Sequence, residues 1–434
     1  MVILLFIALL MIFIFFGFPV AFAFITINIF LTILFIGYKA GMNNLVNSAY
    51  DALVKFTLTP IPLFLVMGET LYHSGLVMRI IDAFSKLLGR MPARLSILAV
   101  GTGTVMSAMS GSAISDAAML GSTLGSEMRK RGYHLNMIVG PIIAAATLAL
   151  IIPPSTTSIL LSSTARISVG DMLIAGILPG LLIAALTLGY FMIRAAIQPS
   201  LAPIYDVGAV SFKEKIRSFV VDAMPSIMLI VLVLGSITFG IATPTESAAV
   251  GAAGALVLAA LYRKLNWQTI KTIVVSSTKV STMILLIMAM SSGFSQLLAF
   301  TGATRGLVQW VLGWEVPFMV TIIFMLVIVL ILGMFIDPIS IMMITIPLYM
   351  PVITSMGIDP IWFGVLMLIC LGLGNVTPPF GLLLFVIKGV MPREVRATQI
   401  YKAVISVVVI QLVAIVLIMI FPEIATWLPQ VSKE

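Results

Sequence analysis

Long apolar blocks alternate with short polar stretches along this chain. Most run about 18 to 25 residues, the length an α-helix needs to cross a hydrocarbon core. In the first part they fall near 2–16, 18–37, 57–75, 136–163 and 171–195, with an amphipathic stretch at 41–56 and a Gly- and Ser-rich segment at 94–127. Later blocks fall near 218–241, 245–262, 278–300, 360–388 and 397–421, with a short surface stretch near 265–276 and an irregular segment at 317–356. The pattern predicts an all-α polytopic membrane protein. A β-barrel would show short alternating segments instead. The opening block reads either as one long bent helix or as two; the cleaner separation of the matching later blocks favours two.

Similar features recur at a nearly constant offset. Pro19 and Pro244, each near the start of a span, are 225 positions apart, as are the breaks at Pro153-Pro154 and Pro378-Pro379. Ser74-Gly75 and Thr301-Gly302 both end spans, 227 apart. In order, these coincidences argue for two halves of about 200 residues. The reading is a first repeat over 1–198, a linker over 199–217 and a second repeat over 218–434.

Charge tests the layout independently. With both ends of the 94–127 segment placed in the cytoplasm, only Lys39, Lys55, Arg166, Arg305 and Lys433 of the 24 lysines and arginines fall outside. That asymmetry is what the positive-inside rule demands. It assigns the basic net charge of +8 to membrane orientation and not to nucleic acid. If 94–127 and 317–356 are re-entrant hairpins, each half crosses five times and the halves are inverted, about ten transmembrane helices in all. The first hairpin then enters from the cytoplasm and the second from outside. The N-terminus, expected outside, reads MVILLFIALLMIFIFF with no preceding positive charge, so it reads as a retained first span. Cys370 is the sole cysteine and lies in an apolar run, which excludes a disulfide or a cysteine-cluster metal site.

The candidate chemistry sits at the interruptions. Ser110, Gly111 and Ser112 lie between apolar flanks, where glycine permits a turn and hydroxyls satisfy backbone groups orphaned in lipid; close helix packing is the competing role for small residues. Pro153-Pro154 should break its helix, freeing carbonyls for a cation and leaving a half-helix N-terminus at Ser155 and Thr156 suited to a carboxylate. A simple kink is the alternative. In the second half, Gly333-Met334-Phe335-Ile336-Asp337-Pro338 marks the hairpin turn, and Gly372 to Pro379 breaks its partner span. Asp337 is the most informative acid, because an ionisable residue at membrane depth is expensive. It would neutralise a cation, carry a proton, or cap the helix beginning at Pro338. Glu246 in TPTES reads first as a capping-box acid. Glu69 calls for an interhelical partner, and His73 and His134 read as solvated or interfacial residues. No GxxxxGK loop is present, so ATP does not drive the chain directly, and no nucleophile–base pair marks an enzyme.

The segments MSGSAISDAAMLG, ALIIPPSTT, IATPTESAAVGA, GMFIDP and GNVTPP together resemble the large membrane subunit of TRAP transporters, the DctM-like family, along essentially the whole chain. The resemblance implies a bacterial inner-membrane carrier importing a small organic anion, a dicarboxylate, keto acid, sugar acid or sialic acid. It also implies an elevator movement, a separate small membrane subunit of about four spans, an extracytoplasmic solute-binding protein and coupling to sodium, with no nucleotide. Two sodium sites are implied. Carried onto this chain, one falls at Ser110, Gly111, Ser112, Ile152 and Pro153, the other at Gly333, Phe335, Asp337, Gly374, Asn375 and Thr377. The anion would lie against Ser112, Ala113, Ser155, Thr156, Asp337, Pro338 and Pro379. No lysine or arginine sits at either break, so bound sodium and half-helix termini would carry the countercharge. Rival readings are a divalent-anion symporter that needs no binding protein, and a passive scaffold or channel subunit.

Overall fold

A computed structural model describes residues 2–205 and 211–432; Lys433 and positions 206–210 of the linker lie outside it. No strand occurs among the described residues. The opening block is two helices, Val2–Phe15 and Val20–Phe35. Gly17, at φ +76°, turns the chain between them, and Pro19 lacks the N–H that would continue the first.

The two halves treat their third block differently. In the first, the amphipathic arm Tyr38–Leu53 meets Phe56–His73 at a 56° bend. Pro60 and Pro62 lie just past that bend, where a helix can begin but not be extended backward. In the second, the expected division into a surface stretch at 265–276 and a span at 278–300 does not occur. Trp267–Phe300 is one helix of 34 residues. No proline interrupts it, so arm and span stay one rod.

Both irregular segments are helical hairpins. Arg94–Ser110 turns at Gly111 into Ala113–Leu120, and Phe318–Gly333 turns through 334–337 into Pro338–Ser355. Both double-proline spans are broken. Leu135–Thr147 tightens through Leu148–Leu150, breaks, and resumes as Thr156–Ala165. Likewise Pro360–Val376 breaks and resumes as Leu382–Val390. The peptide bonds Pro153-Pro154 and Pro378-Pro379 are both cis. Among the described residues, six helices are long and apolar enough to cross a membrane, seven counting the bent pair. Leu135–Leu150, Phe318–Gly333 and Pro360–Val376 are shorter. At 16 residues Phe318–Gly333 reaches only about 24 Å, less than a hydrocarbon core of about 30 Å.

Two packing units follow. Pro60–His73 packs on Pro244–Leu261, and Trp267–Phe300 packs along Val20–Phe35, the Tyr38–Leu53 arm and Pro60–His73. Gly251 lets the first pair close in, since a Cβ there would sit 2.7 Å from Met67 Sδ. Hairpins and broken helices form the other unit, and they are cross-packed. The return arm Ala113–Leu120 lies on Leu382–Val390 of the other half, and Pro338–Ser355 lies on Thr156–Ala165. Exposed apolar side chains such as Phe22, Phe30, Leu232, Val257, Val409 and Val416 leave a surface suited to lipid.

Candidate site at the hairpin tips and helix breaks

In the first half the hairpin turn meets the helix break. Gly111 takes φ +57°, and a Cβ there would lie 3.2 Å from Thr156 Oγ1 and 3.4 Å from the Pro154 carbonyl oxygen. Ser112 caps the return arm, its Oγ accepting from Ser115 N at 3.4 Å, while its own N–H donates to Ser110 Oγ at 3.1 Å. Ala113 and Ile152 are buried beside this contact. Ser155 is fully buried and caps Thr156–Ala165, accepting from Ser158 N at 3.3 Å.

The break does more than release carbonyls. The Leu150 carbonyl accepts from the hydroxyls of Ser155 and Thr157, both at 2.8 Å, and from Ser158 at 3.4 Å. Those hydroxyls tie the two pieces of the broken helix together at the Leu150 carbonyl. A buried acceptor left unpaired would be costly, and the side chains nearest in sequence satisfy it.

The second half closes backbone to backbone. A Cβ on Gly333 would sit 2.8 Å from the Cα of Gly374, and one on Gly374 would sit 2.7 Å from the Cα of Gly333. Asp337 takes the capping role, its Oδ1 accepting from Ser340 N at 3.0 Å and its Oδ2 from the Ser340 hydroxyl. Thr377 Oγ1 donates back to the Leu373 carbonyl at 2.6 Å, and Asn375 is buried with its Oδ1 unpaired among the described residues. Pro338 is half-buried, while Phe335 and Phe380 are exposed, ring centroids 5.4 Å apart. The Pro379 carbonyl accepts from Tyr401 Oη at 2.8 Å. Thus the structure brings together each half's hairpin tip and its own break. No hydrogen bond or ion pair among the described residues joins the first cluster to the second; cross-packed helices relate them.

One acid escaped the sequence reading. Asp116, on the first return arm, is fully buried, accepts from Ser107 Oγ at 3.3 Å through Oδ2, and leaves Oδ1 unpaired among the described residues. The single Ser107 hydroxyl proton is shared between Asp116 Oδ2 and the nearer Ala145 carbonyl at 3.0 Å, linking the carboxyl group to the first broken helix. The signal was available: Asp116 is the only acid within the 94–120 part of the hairpin.

Other expectations sort plainly. Glu69 finds its partner on its own helix, not on another, because His73 Nε2 lies 2.9 Å from Glu69 Oε2 at i+4 spacing. His73 is therefore paired. His134 is exposed and caps Leu135–Thr147. Glu246 closes a capping box with Thr243, accepting from Thr243 N at 2.8 Å. Arg79 and Asp222, 3.1 Å apart, join the Leu76–Leu87 surface helix to the opening of the second half.

Broken helices, helical hairpins and buried polar groups at their junctions, among several helices apolar enough to span a membrane, fit a helical membrane transporter. A solved structure, the Alcanivorax borkumensis YdaH transporter, shares the fold with a TM-score of 0.63 at 14% identity, covering 89% of each chain. The sequence matches the Tripartite ATP-independent periplasmic transporter DctM component over residues 7–424, and the chain belongs to that family. The C4-dicarboxylate TRAP transporter large permease protein DctM of Pseudomonas aeruginosa is 30% identical over 390 residues, 90% of each chain. The sialic acid TRAP transporter large permease protein SiaM of Vibrio cholerae is 27% identical over 417 residues, 95% of each. These relatives are permeases, and the chain is a transporter component, not an enzyme.

Proposed function

We propose that this chain is the large permease of a sodium-coupled, binding-protein-dependent importer of a small organic acid. The observation that carries the reading is the junction of each hairpin tip with its own helix break, at Gly111 with Thr156 and at Gly333 with Gly374. Carbonyl and hydroxyl oxygens at such junctions suit a hard cation. The unpaired Oδ1 atoms of Asn375 and Asp116 support that chemistry, since a buried acceptor without a donor is stabilised by a positive ion. A sodium ion at each junction offsets the cost of holding a carboxylate at membrane depth beside Ser112, Thr156 and Pro338.

The two packing units fit an elevator, in which hairpins and broken helices travel together against the scaffold of Pro60–His73, Pro244–Leu261 and Trp267–Phe300. The constant offset between the prolyl pairs supports inverted repeats, and the charge asymmetry supports an extracytoplasmic N-terminus. Relatives named for C4-dicarboxylate and sialic acid support an organic acid as the substrate class. A small membrane subunit and an extracytoplasmic binding protein complete the system in an inner membrane.

The test is uptake into liposomes holding this chain with its small subunit, with and without binding protein. Uptake should require the binding protein and collapse when sodium is replaced by potassium. Uptake without binding protein would favour a self-sufficient symporter. Full uptake under a proton gradient alone would assign coupling to a carboxyl group.

A further inference from the structure

A cavity of about 790 Å³ opens between the scaffold arm and the distal end of the first broken helix. Asn47, Asp51 and Lys55 line it from the scaffold side, Ser162 and Arg166 from the transport unit, and Gln296 from Trp267–Phe300. We propose that this cavity is an anion-gathering site, in which Lys55 and Arg166 take a substrate carboxylate before it reaches the hairpin tips. The proposal rests on the organic-acid reading above and adds residues outside both junction clusters.

Three observations carry it. First, the cavity holds two cations and one acid, and neither cation is in an ion pair among the described residues. Burial and the nearby Arg166 push the Lys55 ammonium pKa down, with Asp51 opposing, so the two cations share one field. An anion between them relieves their repulsion, and the planar guanidinium suits a carboxylate.

Second, Arg166 ends Thr156–Ala165 in the left-handed conformation, at φ 59°. A residue with a Cβ is strained there, and glycine would avoid that strain. Third, Lys55 and Arg166 are two of only five basic residues that the charge asymmetry assigns outside, where basic residues oppose the orientation. The junction clusters contain no lysine or arginine, so Lys55 and Arg166 add a fixed positive charge that the junctions lack. Because scaffold and transport unit each supply one cation, movement between them would part the pair and release the anion.

The field can be read on this chain alone in nanodiscs. Asn47→Cys in a Cys370→Ala background is labelled with a negatively charged sulfonatoethyl methanethiosulfonate and with its positively charged trimethylammonioethyl counterpart. With each rate divided by the same reagent's rate toward free cysteine, the anionic reagent should come out faster, by about tenfold. Lys55→Met with Arg166→Gly should remove that preference, and succinate at constant ionic strength should slow the reaction. Arg166→Gly suits the backbone, and an unchanged size-exclusion profile separates lost charge from lost fold. Equal rates for the two reagents, a preference that survives both substitutions, or no protection by succinate would overturn the proposal. Labelling does not depend on sodium or a binding protein, so its outcome stands apart from that of the uptake assay.

Discussion

Gly333 and Gly374 meet backbone to backbone, each α-carbon lying where the other's side chain would begin. The second hairpin therefore docks onto the second broken helix with no side chain between them. Gly111 makes the first junction by a different route, taking a left-handed turn against Thr156.

This contact predicts the effect of one methyl group. Gly374→Ala places a Cβ 2.7 Å from the Cα of Gly333, so backbone has to move. The expected cost is about 1–3 kcal/mol, and sodium-dependent uptake should fall more than surface expression does. Thermal unfolding of the detergent-solubilised complex and uptake assays check both. Normal sodium dependence in the alanine variant would remove the close contact from the mechanism.

Asp337 offers a way to separate capping from charge. Asn caps a helix about as well as Asp, whereas Ala loses about 1 kcal/mol. Asp337→Asn should therefore keep stability close to the parent, and Asp337→Ala should lower it. If the carboxylate also neutralises a cation, both variants lose transport to a similar degree. Full uptake by the asparagine variant would leave Asp337 as a cap alone.

Asp116 is buried with one carboxylate oxygen unpaired among the described residues. Asp116→Asn removes its charge with little change in shape. The sodium concentration for half-maximal uptake is expected to rise about tenfold, equivalent to about 1.4 kcal/mol. Ser107→Ala, which removes a hydroxyl bridging Asp116 and the Ala145 carbonyl, should raise it less. Sodium titrations of uptake distinguish the two.

The capping box supplies a contrast. Thr243→Ala removes the hydroxyl that accepts from Glu246 N at 3.3 Å and should cost about 1 kcal/mol. Pro244–Leu261 belongs to the scaffold, so the variant should unfold at lower temperature yet keep its sodium half-saturation. A shifted sodium dependence would show that the scaffold helix communicates with the sites.

Both prolyl breaks and both hairpin turns were legible in the sequence, because proline and glycine act through local backbone geometry that needs no partner. The capping box at Thr243 and Glu246 was legible for the same reason, its hydrogen bonds spanning three residues. Trp267–Phe300 was divided wrongly because polarity along a helix changes without the backbone breaking. Glu69 was given a distant partner although His73 stood four residues away, where helical spacing alone brings them together.

Local chemistry along the chain determined where helices begin, where they fail and how long each apolar run is. Only tertiary structure decided which failures face one another: Gly111 against Thr156, Gly333 against Gly374, and Ala113–Leu120 across onto Leu382–Val390. It also decided that Asp116 is buried. The physical reason is range. Turn and cap preferences act over a few neighbouring residues, whereas burial and docking depend on segments from about forty to well over two hundred positions apart meeting in space.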